Sequence, residues 1–319
     1  MQKTQLKTTQ LGRTGLEITR LGFGAWALGG DDWQFGWGPQ HGEDSIETIQ
    51  RALELGINWI DTAAAYGFGR SERAVGQALA GLSDRPYVFT KASLPDDGTR
   101  HLHYSLKRDS ILREAEASLQ RLGVDAIDLY QIHWPIPEED IEEGWSALAE
   151  LKEQGLVRHI GVSNFDVEQL RRIQSVAPVE TIQPPYSLVD RGAADELLPF
   201  TEREDIGVIV YSPMGSGLLT GAMTRERIAQ LPADDWRARD PRFEEPLLSE
   251  NLALASRVQA VADRHGVTAG AVAVAWTLIN PAVDGAIAGF RRPDQVAPIV
   301  AAADLELTDD DVDELNGTH

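Results

Sequence analysis

Continuous apolar runs alternate along the chain with stretches of helical period. Unbroken apolar runs are typical of parallel strands that helices cover on both faces. The intervening stretches, such as EDSIETIQRALELG and DSILREAEASLQRLG, repeat apolar residues at helical spacing, and several end on a glycine suited to a helix C-terminus. The apolar runs predict eight strands, at residues 21–26, 59–63, 87–92, 127–133, 159–163, 181–187, 207–213 and 283–290.

Eight strands with helices between them predict an α/β fold, a closed parallel (β/α)8 barrel of the TIM type rather than an open sheet. Two further short strands flank the turn Arg13-Thr14-Gly15, and we expect this N-terminal β-hairpin to plug the bottom of the barrel. No linker composition interrupts the chain, so residues 1–319 are predicted to form a single domain.

The C-terminal half departs from a regular alternation of strands and helices. Residues 214–250 form a long irregular segment after the seventh strand. A loop of that length inside a compact fold is usually either functional or a sign that an element has been assigned wrongly. We interpret it as a lid. Two consecutive helices, at about 251–265 and 268–280, are predicted to follow it as additional helices of this half.

Composition and charge mainly exclude functions. The chain has 29 Lys and Arg against 50 Asp and Glu, a net charge of −21, and no basic run offsets this field. We therefore expect neither nucleic acid nor a membrane as a partner. The N-terminus lacks the apolar core of a signal peptide and no apolar stretch could span a bilayer, which makes the cytoplasm the expected compartment.

The sequence contains no cysteine, which excludes disulfides, thiol nucleophiles and zinc–thiolate sites. His101 and His103 have a spacing suited to a metal but stand in a polar loop without a nearby third ligand. We interpret them as surface histidines and predict no metal site.

Ionisable residues stand at the ends of three consecutive predicted strands. Asp61 ends the second strand with Tyr66 in the loop beyond it, Lys91 ends the third, and His133 ends the fourth. Active sites of (β/α)8 barrels lie at these strand ends. An ammonium favours an adjacent phenolate, so we expect Lys91, anchored by Asp61, to lower the pKa of Tyr66 and tune it as a general acid. His133 would orient the substrate oxygen.

Each of these residues taken alone has a structural interpretation, as a turn former, a packing residue or a buried core residue. Together they form a proton donor suited to a carbonyl group. A carbonyl that gains a proton on oxygen also needs a hydride on carbon, which no side chain supplies. The set therefore implies a nicotinamide cofactor.

The motifs DTAAAYGFGRSE, TK, LYQIHWP and IGVSNF resemble those of the aldo-keto reductase superfamily, and the similarity runs from LGFGAWALGG to the C-terminal helix. The resemblance, to bacterial-type members, implies an NADP-dependent oxidoreductase that reduces an aldehyde or ketone to the alcohol. It implies that Asp61, Tyr66, Lys91 and His133 form the catalytic tetrad. It also implies that NADPH binds extended across the barrel mouth without a Rossmann domain.

The same resemblance assigns the cofactor contacts. Ser163, Asn164 and Gln183 would hold the nicotinamide carboxamide, and Tyr211 would stack on the ring. The pyrophosphate region falls on SPMGSGLLTG, where glycines let backbone N–H groups approach a phosphate. The predicted contacts of this region are Ser212, Pro213, Met214, Gly215, Gly217 and Leu218.

Residues 286–300, AIAGFRRPDQVAPIV, resemble the segment that grips the adenosine 2′-phosphate, with Gly289, Arg291 and Gln295 at the matching positions and Arg292 as the neighbouring candidate. Pro298-Ile299 departs from the Glu-Asn pair with which many members hold the adenine. The stretch GFGAWA satisfies G-x-G-x-x-A, but a loop follows it instead of a helix, so a Rossmann fingerprint is rejected.

Tryptophans at residues 26, 33, 37 and 134 fall on loops of the predicted barrel mouth. They either pack at the rim of the core or form the walls of an apolar substrate pocket, and we predict substrate contacts from Trp26 and Trp134. Sugar aldehydes, diketones and aromatic aldehydes all remain compatible with such a pocket. The sequence leaves the physiological carbonyl and the oligomeric state open.

Two other classes of function are considered. The family also resembles the β-subunits of voltage-gated potassium channels, which makes a nucleotide-sensing regulatory subunit the alternative to an enzyme. A barrel glycosidase would need two carboxylates about 5–10 Å apart at strand ends. Only Asp61 qualifies among the predicted strand ends, which makes that hypothesis weak.

Overall fold

The computed structural model describes residues 6–31, 33–232 and 235–317. Within them, eight parallel strands pair in chain order, and the last pairs with the first to close a barrel. The (β/α)8 prediction is therefore confirmed. The barrel strands are β3 (Leu21–Gly24), β4 (Trp59–Asp61), β5 (Tyr87–Ala92), β6 (Ile127–Ile132), β7 (Val157–Ser163), β8 (Thr181–Gln183), β9 (Gly207–Val210) and β10 (Gly285–Gly289).

Several strands end earlier than the apolar runs predict. The run at 181–187 yields a strand that stops at Gln183, just before Pro184, and the run at 207–213 yields one that stops at Val210, before Pro213. Proline lacks the N–H that a central strand must donate. The rest of each apolar run belongs to the loop that leaves the barrel toward its mouth.

The N-terminal hairpin closes the opposite end of the barrel, as predicted. Strands β1 (Thr8–Gln10) and β2 (Glu17–Thr19) pair antiparallel. Leu11, Leu16 and Ile18 of the hairpin are buried in one apolar cluster with side chains of the barrel strands. The hairpin lies so close to β9 that a Cβ on Gly12, whose φ is +45°, would be 2.2 Å from the backbone nitrogen of Gly207. Only glycine fits this contact.

Helices cover the outside of the barrel and dominate the C-terminal half. The described helices are α1 (Gly42–Glu54), α2 (Arg70–Leu79), α3 (Arg108–Leu122), α4 (Ile141–Glu153), α5 (Val167–Gln174), α6 (Leu197–Glu204), α7 (Arg225–Ala229), α8 (Leu247–His265), α9 (Ala269–Thr277), α10 (Ala297–Val300) and α11 (Asp309–Asn316). The predicted additional helices correspond to α8 and α9. No helix within the described ranges has the length and apolarity needed to cross a bilayer.

The predicted irregular segment, residues 214–250, holds only short elements in its described part: 3₁₀ turns at Gly215–Thr220, Trp236–Arg239 and Pro241–Phe243, the short helix α7 and the start of α8. We keep the name lid segment for residues 214–250. Its first turn packs against α8 and α9. Every residue of α9 is buried, which explains why its sequence, AGAVAVAWT, shows no polar face.

Candidate active site

The ionisable residues of the first strand ends meet at the mouth of the barrel. Lys91 Nζ donates to Asp61 Oδ1 at 2.6 Å and to the main-chain oxygen of Thr62 at 2.9 Å. The Lys91 ammonium lies 5.3 Å from the centre of the Tyr66 ring, and that ring meets the His133 imidazole edge-on, with 5.7 Å between centres. The structure thus brings the four predicted residues together around a buried ion pair.

The second carboxylate oxygen of Asp61 has partners that the sequence did not suggest. Gln183 Nε2 donates to Asp61 Oδ2 at 2.8 Å, and Gln131 Nε2 lies 3.5 Å from the same oxygen. Gln131 was missed, although it stands two residues before His133 and so faces the same side of the strand. Gln183, assigned to the nicotinamide carboxamide, also helps to hold the Asp61 carboxylate.

The predicted lowering of the Tyr66 pKa is wrong for this structure. Burial, with smaller contributions from Asp61 and Tyr211, raises the pKa of Tyr66 well above its usual value. Burial lowers the pKa of Lys91, against the opposing effect of Asp61. Burial and the nearby Lys91 ammonium also lower the pKa of His133 well below its usual value. At neutral pH the site therefore presents a protonated phenol beside a neutral imidazole.

A cavity of about 850 Å³ opens above these residues. Asp61, Tyr66 and His133 line it, whereas Lys91 lies fully buried beside Asp61 and does not. Most of the predicted cofactor residues line the same cavity: Ser163, Asn164, Gln183, Tyr211, Ser212, Pro213, Met214, Gly217, Gly289, Arg291 and Gln295. Two of the predicted pyrophosphate contacts, Gly215 and Leu218, are buried and do not line it.

Some backbone N–H groups of the predicted pyrophosphate loop already donate to carbonyls of the same loop. The N–H of Gly215 donates to the carbonyl of Ser212 at 2.9 Å, and the N–H of Gly217 donates to the carbonyl of Met214 at 3.1 Å. The expectation that both glycines offer N–H groups to a phosphate is therefore not met in this conformation. The glycines instead allow the tight turns, with φ of +56° and +100°.

Asn164 connects the predicted nicotinamide residues to the tetrad. Its Nδ2 donates to the main-chain oxygen of His133 at 2.9 Å, and its Oδ1 accepts from the Tyr211 hydroxyl at 2.8 Å. Ser163 Oγ donates to the main-chain oxygen of Gln183 at 2.8 Å. These bonds tie the ends of β6, β7 and β8 to the loop after β9. The amide groups are thus fixed in position before any ligand binds.

Arg291 and Arg292 follow β10 at the far end of the cavity. Arg291 Nη2 donates to Pro39 O at 2.6 Å, and its Nε donates to Gln40 Oε1 at 3.2 Å. Gln295 Oε1 accepts the backbone N–H of both arginines. Arg292 is more exposed and pairs with Asp294 at 3.2 Å. Arg291 therefore joins the loop before α1 to the end of β10, while its Nη1 stays unused by these bonds.

Aromatic rings form the wall beside Tyr66. Trp26 stacks on Tyr66 with 6.3 Å between ring centres and on Trp236 of the lid segment with 5.3 Å. Trp37 meets both tryptophans edge-on. Trp134 stacks beside His133 at 6.3 Å. Trp26, Trp33, Trp37 and Trp134 all line the cavity, so the pocket-wall interpretation is the one the geometry supports.

The lid segment supplies cavity residues that sequence reasoning missed. Trp236 lies on the Trp26 ring, and Arg237 lies over Trp37 with 4.6 Å to the ring centre. Asp235 holds the Arg237 guanidinium through two hydrogen bonds, of 3.0 and 2.6 Å. The sequence signal that could have indicated these cavity residues is the presence of arginines in the lid segment of an otherwise acidic chain.

The described histidines and carboxylates do not cluster as metal ligands. Among the residues described in the structure, no group of three or more His, Cys, Asp or Glu side chains is placed to hold a metal ion. His103, one of the two loop histidines, lies 3.6 Å from Asp97 and is partly exposed.

Comparison with known proteins identifies the family. The model of the Aldo/keto reductase family matches residues 20–318. Aldo-keto reductase YhdN of Bacillus subtilis (strain 168) is 40% identical over 98% of this chain and 93% of its own. The NADH-specific methylglyoxal reductase of Escherichia coli (strain K12) is 36% identical over 96% of both chains.

A solved structure agrees with these relatives. The glycerol dehydrogenase of Gluconobacter oxydans superposes with a TM-score of 0.87 at 37% identity, covering 98% of this chain and 95% of its own. Since the family match, the relatives and the barrel with its mouth cavity all agree, the chain belongs to the aldo/keto reductase family of oxidoreductases.

Proposed function

We propose that the protein reduces an aldehyde or ketone to the alcohol, with NADPH as the preferred hydride donor and Tyr66 as the general acid. One observation carries this proposal: the buried Lys91–Asp61 ion pair lies beside the Tyr66 ring, and the His133 imidazole meets that ring edge-on. The span of the family match and the closed barrel support treating residues 1–319 as one domain.

The residues of the cavity fit a dinucleotide. Asn164 and Gln183 offer amide groups at the nicotinamide end, where Tyr211 supplies a ring. Gly289 lines the cavity at the end of β10, and a Cβ added there would meet only the main-chain oxygen of Gly24, at 3.9 Å, so this strand end is uncrowded. Arginines at the far end suit phosphate groups.

A bound nicotinamide would supply the hydride to the carbonyl carbon. Tyr66 then donates its hydroxyl proton to the carbonyl oxygen, and its raised pKa keeps that proton in place at neutral pH. The Lys91 ammonium, 5.3 Å from the centre of the Tyr66 ring, would stabilise the phenolate that remains. His133, as a neutral imidazole, hydrogen-bonds the carbonyl oxygen and orients it.

The aromatic rings around Tyr66 define the substrate side of the cavity. They suit carbonyl compounds with an apolar or planar body. Because two relatives are named for methylglyoxal and glycerol, small polar carbonyl compounds should also be assayed as substrates. No feature of the described residues favours the alternative of a regulatory subunit, and the named relatives are all named as enzymes.

The test is Tyr66→Phe, which removes the proton donor and keeps the ring. General acid catalysis typically contributes about 10² to 10⁴ in rate, so NADPH-dependent reduction should fall by at least roughly 10²-fold. Binding of NADPH, followed by quenching of tryptophan fluorescence, should persist. Tyr87→Phe is the matched control, because Tyr87 begins β5 at the opposite end of the barrel and does not line the cavity. Near-normal turnover by Tyr66→Phe would refute the proposal.

A further inference from the structure

A buried glutamate of α3 holds the turn that follows β5. Glu114 Oε2 accepts the backbone N–H of Leu94 at 3.1 Å, and its Oε1 accepts the N–H of Ser93 at 3.4 Å. Ser110, one helical turn earlier, donates its hydroxyl to Oε1 at 3.4 Å. Glu114 is only 7% exposed. Burial raises the pKa of Glu114 to about 8, so near neutral pH the group is largely an uncharged carboxyl. Its buried oxygens still need donors, and here consecutive backbone groups of one turn provide them.

The turn itself is strained and well connected. Ser93 has a φ of +90°, which a residue with a side chain seldom adopts, and it is fully buried. Its hydroxyl oxygen accepts the backbone N–H of Trp134 at 3.2 Å, and its carbonyl accepts the N–H of Ser105 at 3.1 Å. Such a conformation persists only where the surroundings fix it, and the Glu114 carboxyl group is bonded directly to it.

The groups attached to this turn form two walls of the cavity. Leu94 begins the loop that also brings Leu102 and Tyr104 to the cavity. Trp134, bonded to the Ser93 hydroxyl, lines the cavity beside His133. The predicted cofactor residues stand elsewhere, at the ends of β7, β8 and β10 and after β9. Glu114 is therefore connected to the substrate side of the mouth and not to the cofactor side.

We propose that Glu114 is a positioning residue for the carbonyl substrate: it fixes the left-handed turn at Ser93 and, through that turn, the walls formed by Leu94 and Trp134. Glu114 does not line the cavity, so it acts only through the backbone that it holds. This inference rests on the proposed reductase function, because it assigns the substrate to the walls beside His133.

The test compares steady-state constants of Glu114→Gln with those of a matched control. The Gln amide replaces one acceptor oxygen by an NH2 group, which faces a backbone N–H and cannot accept from it. A displacement of about 1 Å at a positioning site can cost roughly 10²-fold in catalytic efficiency. We expect kcat/KM for the carbonyl to fall at least about tenfold, and because Glu114 acts on the walls that hold the substrate, the fall should come from a higher KM. The kcat at saturation and the dissociation constant for NADPH should stay within about twofold of wild type.

Glu180→Gln is the control, since Glu180 is an equally buried carboxylate that accepts a backbone N–H, that of Ile160, at the opposite end of the barrel. It should lower thermal stability and leave the KM for the carbonyl unchanged. If Glu114→Gln behaves in the same way, with lower stability and an unchanged KM, its role is structural and the inference is overturned.

If Glu114→Gln does not fold, Ser93→Gly tests whether the turn at Ser93 positions the substrate walls. Glycine adopts the left-handed conformation without strain, yet it removes the acceptor for the Trp134 N–H. The KM for the carbonyl should again rise with NADPH binding unchanged, and an unchanged KM overturns the inference. Wild-type protein without carbonyl turnover would overturn the proposed function as well, whereas normal wild-type turnover with unchanged KM in both variants overturns this inference alone.

Discussion

At the scale of single residues, a buried ion pair lies at the mouth of the barrel, beneath the cavity. The Lys91 and Asp61 side chains are 0% and 4% exposed, so each depends on the other for its charge to be tolerated. Gln131 and Gln183 also donate hydrogen bonds to the Asp61 carboxylate. Removing either charge alone would leave the other uncompensated in the interior.

Lys91→Met keeps the length of the stem and deletes the ammonium. We expect reductase activity to fall at least about 10²-fold because the Tyr66 phenolate loses its stabilising charge. The free energy of unfolding should fall by about 3–5 kcal/mol because Asp61 is left as an unpaired buried charge. Turnover assays and urea denaturation measure the two effects.

Lys152→Met is the matched control, since it breaks an ion pair of the same length, 2.6 Å, whose lysine is 40% exposed. It should leave turnover unchanged and cost less stability. An active Lys91→Met enzyme would show that the tyrosine needs no neighbouring ammonium.

The positions of the tetrad could be predicted from sequence, because each residue stands at or just beyond the end of an apolar run and the fold places those ends together. The direction of the Tyr66 pKa shift could not. It depends on how completely Trp26 and the neighbouring loops bury the phenol, and no motif encodes that burial. Gln131 was predictable in principle, from its spacing to His133.

At the scale of elements, the barrel was predictable and the contacts of the lid segment were not. An apolar run in the sequence indicates each barrel strand. Gly12 allows the N-terminal hairpin to approach β9 closely enough to plug the bottom of the barrel. Residues 214–250 lack a period, so the sequence shows that they are irregular without showing what they cover. The structure stacks Trp236 of this segment on Trp26, which in turn stacks on Tyr66.

Trp236→Ala should loosen the lid segment from the barrel. Aromatic pairs contribute about 0.5–1.5 kcal/mol beyond the area they bury, so we expect the KM values for cofactor and carbonyl to rise by roughly 2- to 12-fold. Trp236→Phe keeps a ring and should recover most of the loss. Unchanged KM values in the alanine variant would show that the stack does not hold the segment over the site.

Glu180 links elements at the bottom of the barrel, where it accepts from His159 on β7, Lys152 on α4 and the N–H of Ile160. Burial opposes the charge, yet these hydrogen bonds lower the pKa of Glu180 to about 2. Since the folded pKa lies below the unfolded one, the stabilisation is present above the ordinary glutamate pKa and is lost as pH falls toward 2.

Hydrogen bonds to a charged group contribute about 1.5–3 kcal/mol, so Glu180→Gln should lower the free energy of unfolding at pH 7 by roughly 2 kcal/mol. The difference from wild type should shrink between pH 5 and 3, and denaturation at several pH values measures it. A difference that is independent of pH would contradict the assigned ionisation.

At the scale of the whole molecule, the charge distribution opposes the cofactor except at one place. The chain carries −21, yet among the described residues five arginines line the mouth cavity: Arg227, Arg237, Arg242, Arg291 and Arg292. A 2′-phosphate adds nearly two negative charges, so NADPH binds well only where local cations outweigh the overall field. Arg291 and Arg292, after β10, are the pair at the position of the family's phosphate-gripping segment.

Cofactor choice tests this balance of local and overall charge. A hydrogen bond between charged groups is worth about 1.5–3 kcal/mol, or roughly 10- to 150-fold in affinity, so wild type should prefer NADPH to NADH by at least about tenfold in kcat/KM. Arg291→Ala should remove most of that preference. Because Arg291 also holds Pro39 and Gln40, its loss should weaken both cofactors, and the ratio of NADPH to NADH isolates the phosphate contact.

Arg292→Ala is the matched comparison, since it deletes an equal charge whose bond is to Asp294 and which ties no other loop. If Arg292 alone binds the 2′-phosphate, Arg292→Ala should lose the preference for NADPH over NADH, and Arg291→Ala should keep it. The NADH-specific Escherichia coli relative shows that the family accommodates the opposite choice. A wild-type preference for NADH, or a ratio that neither variant changes, would refute the assignment, because no other described arginine of the cavity follows β10.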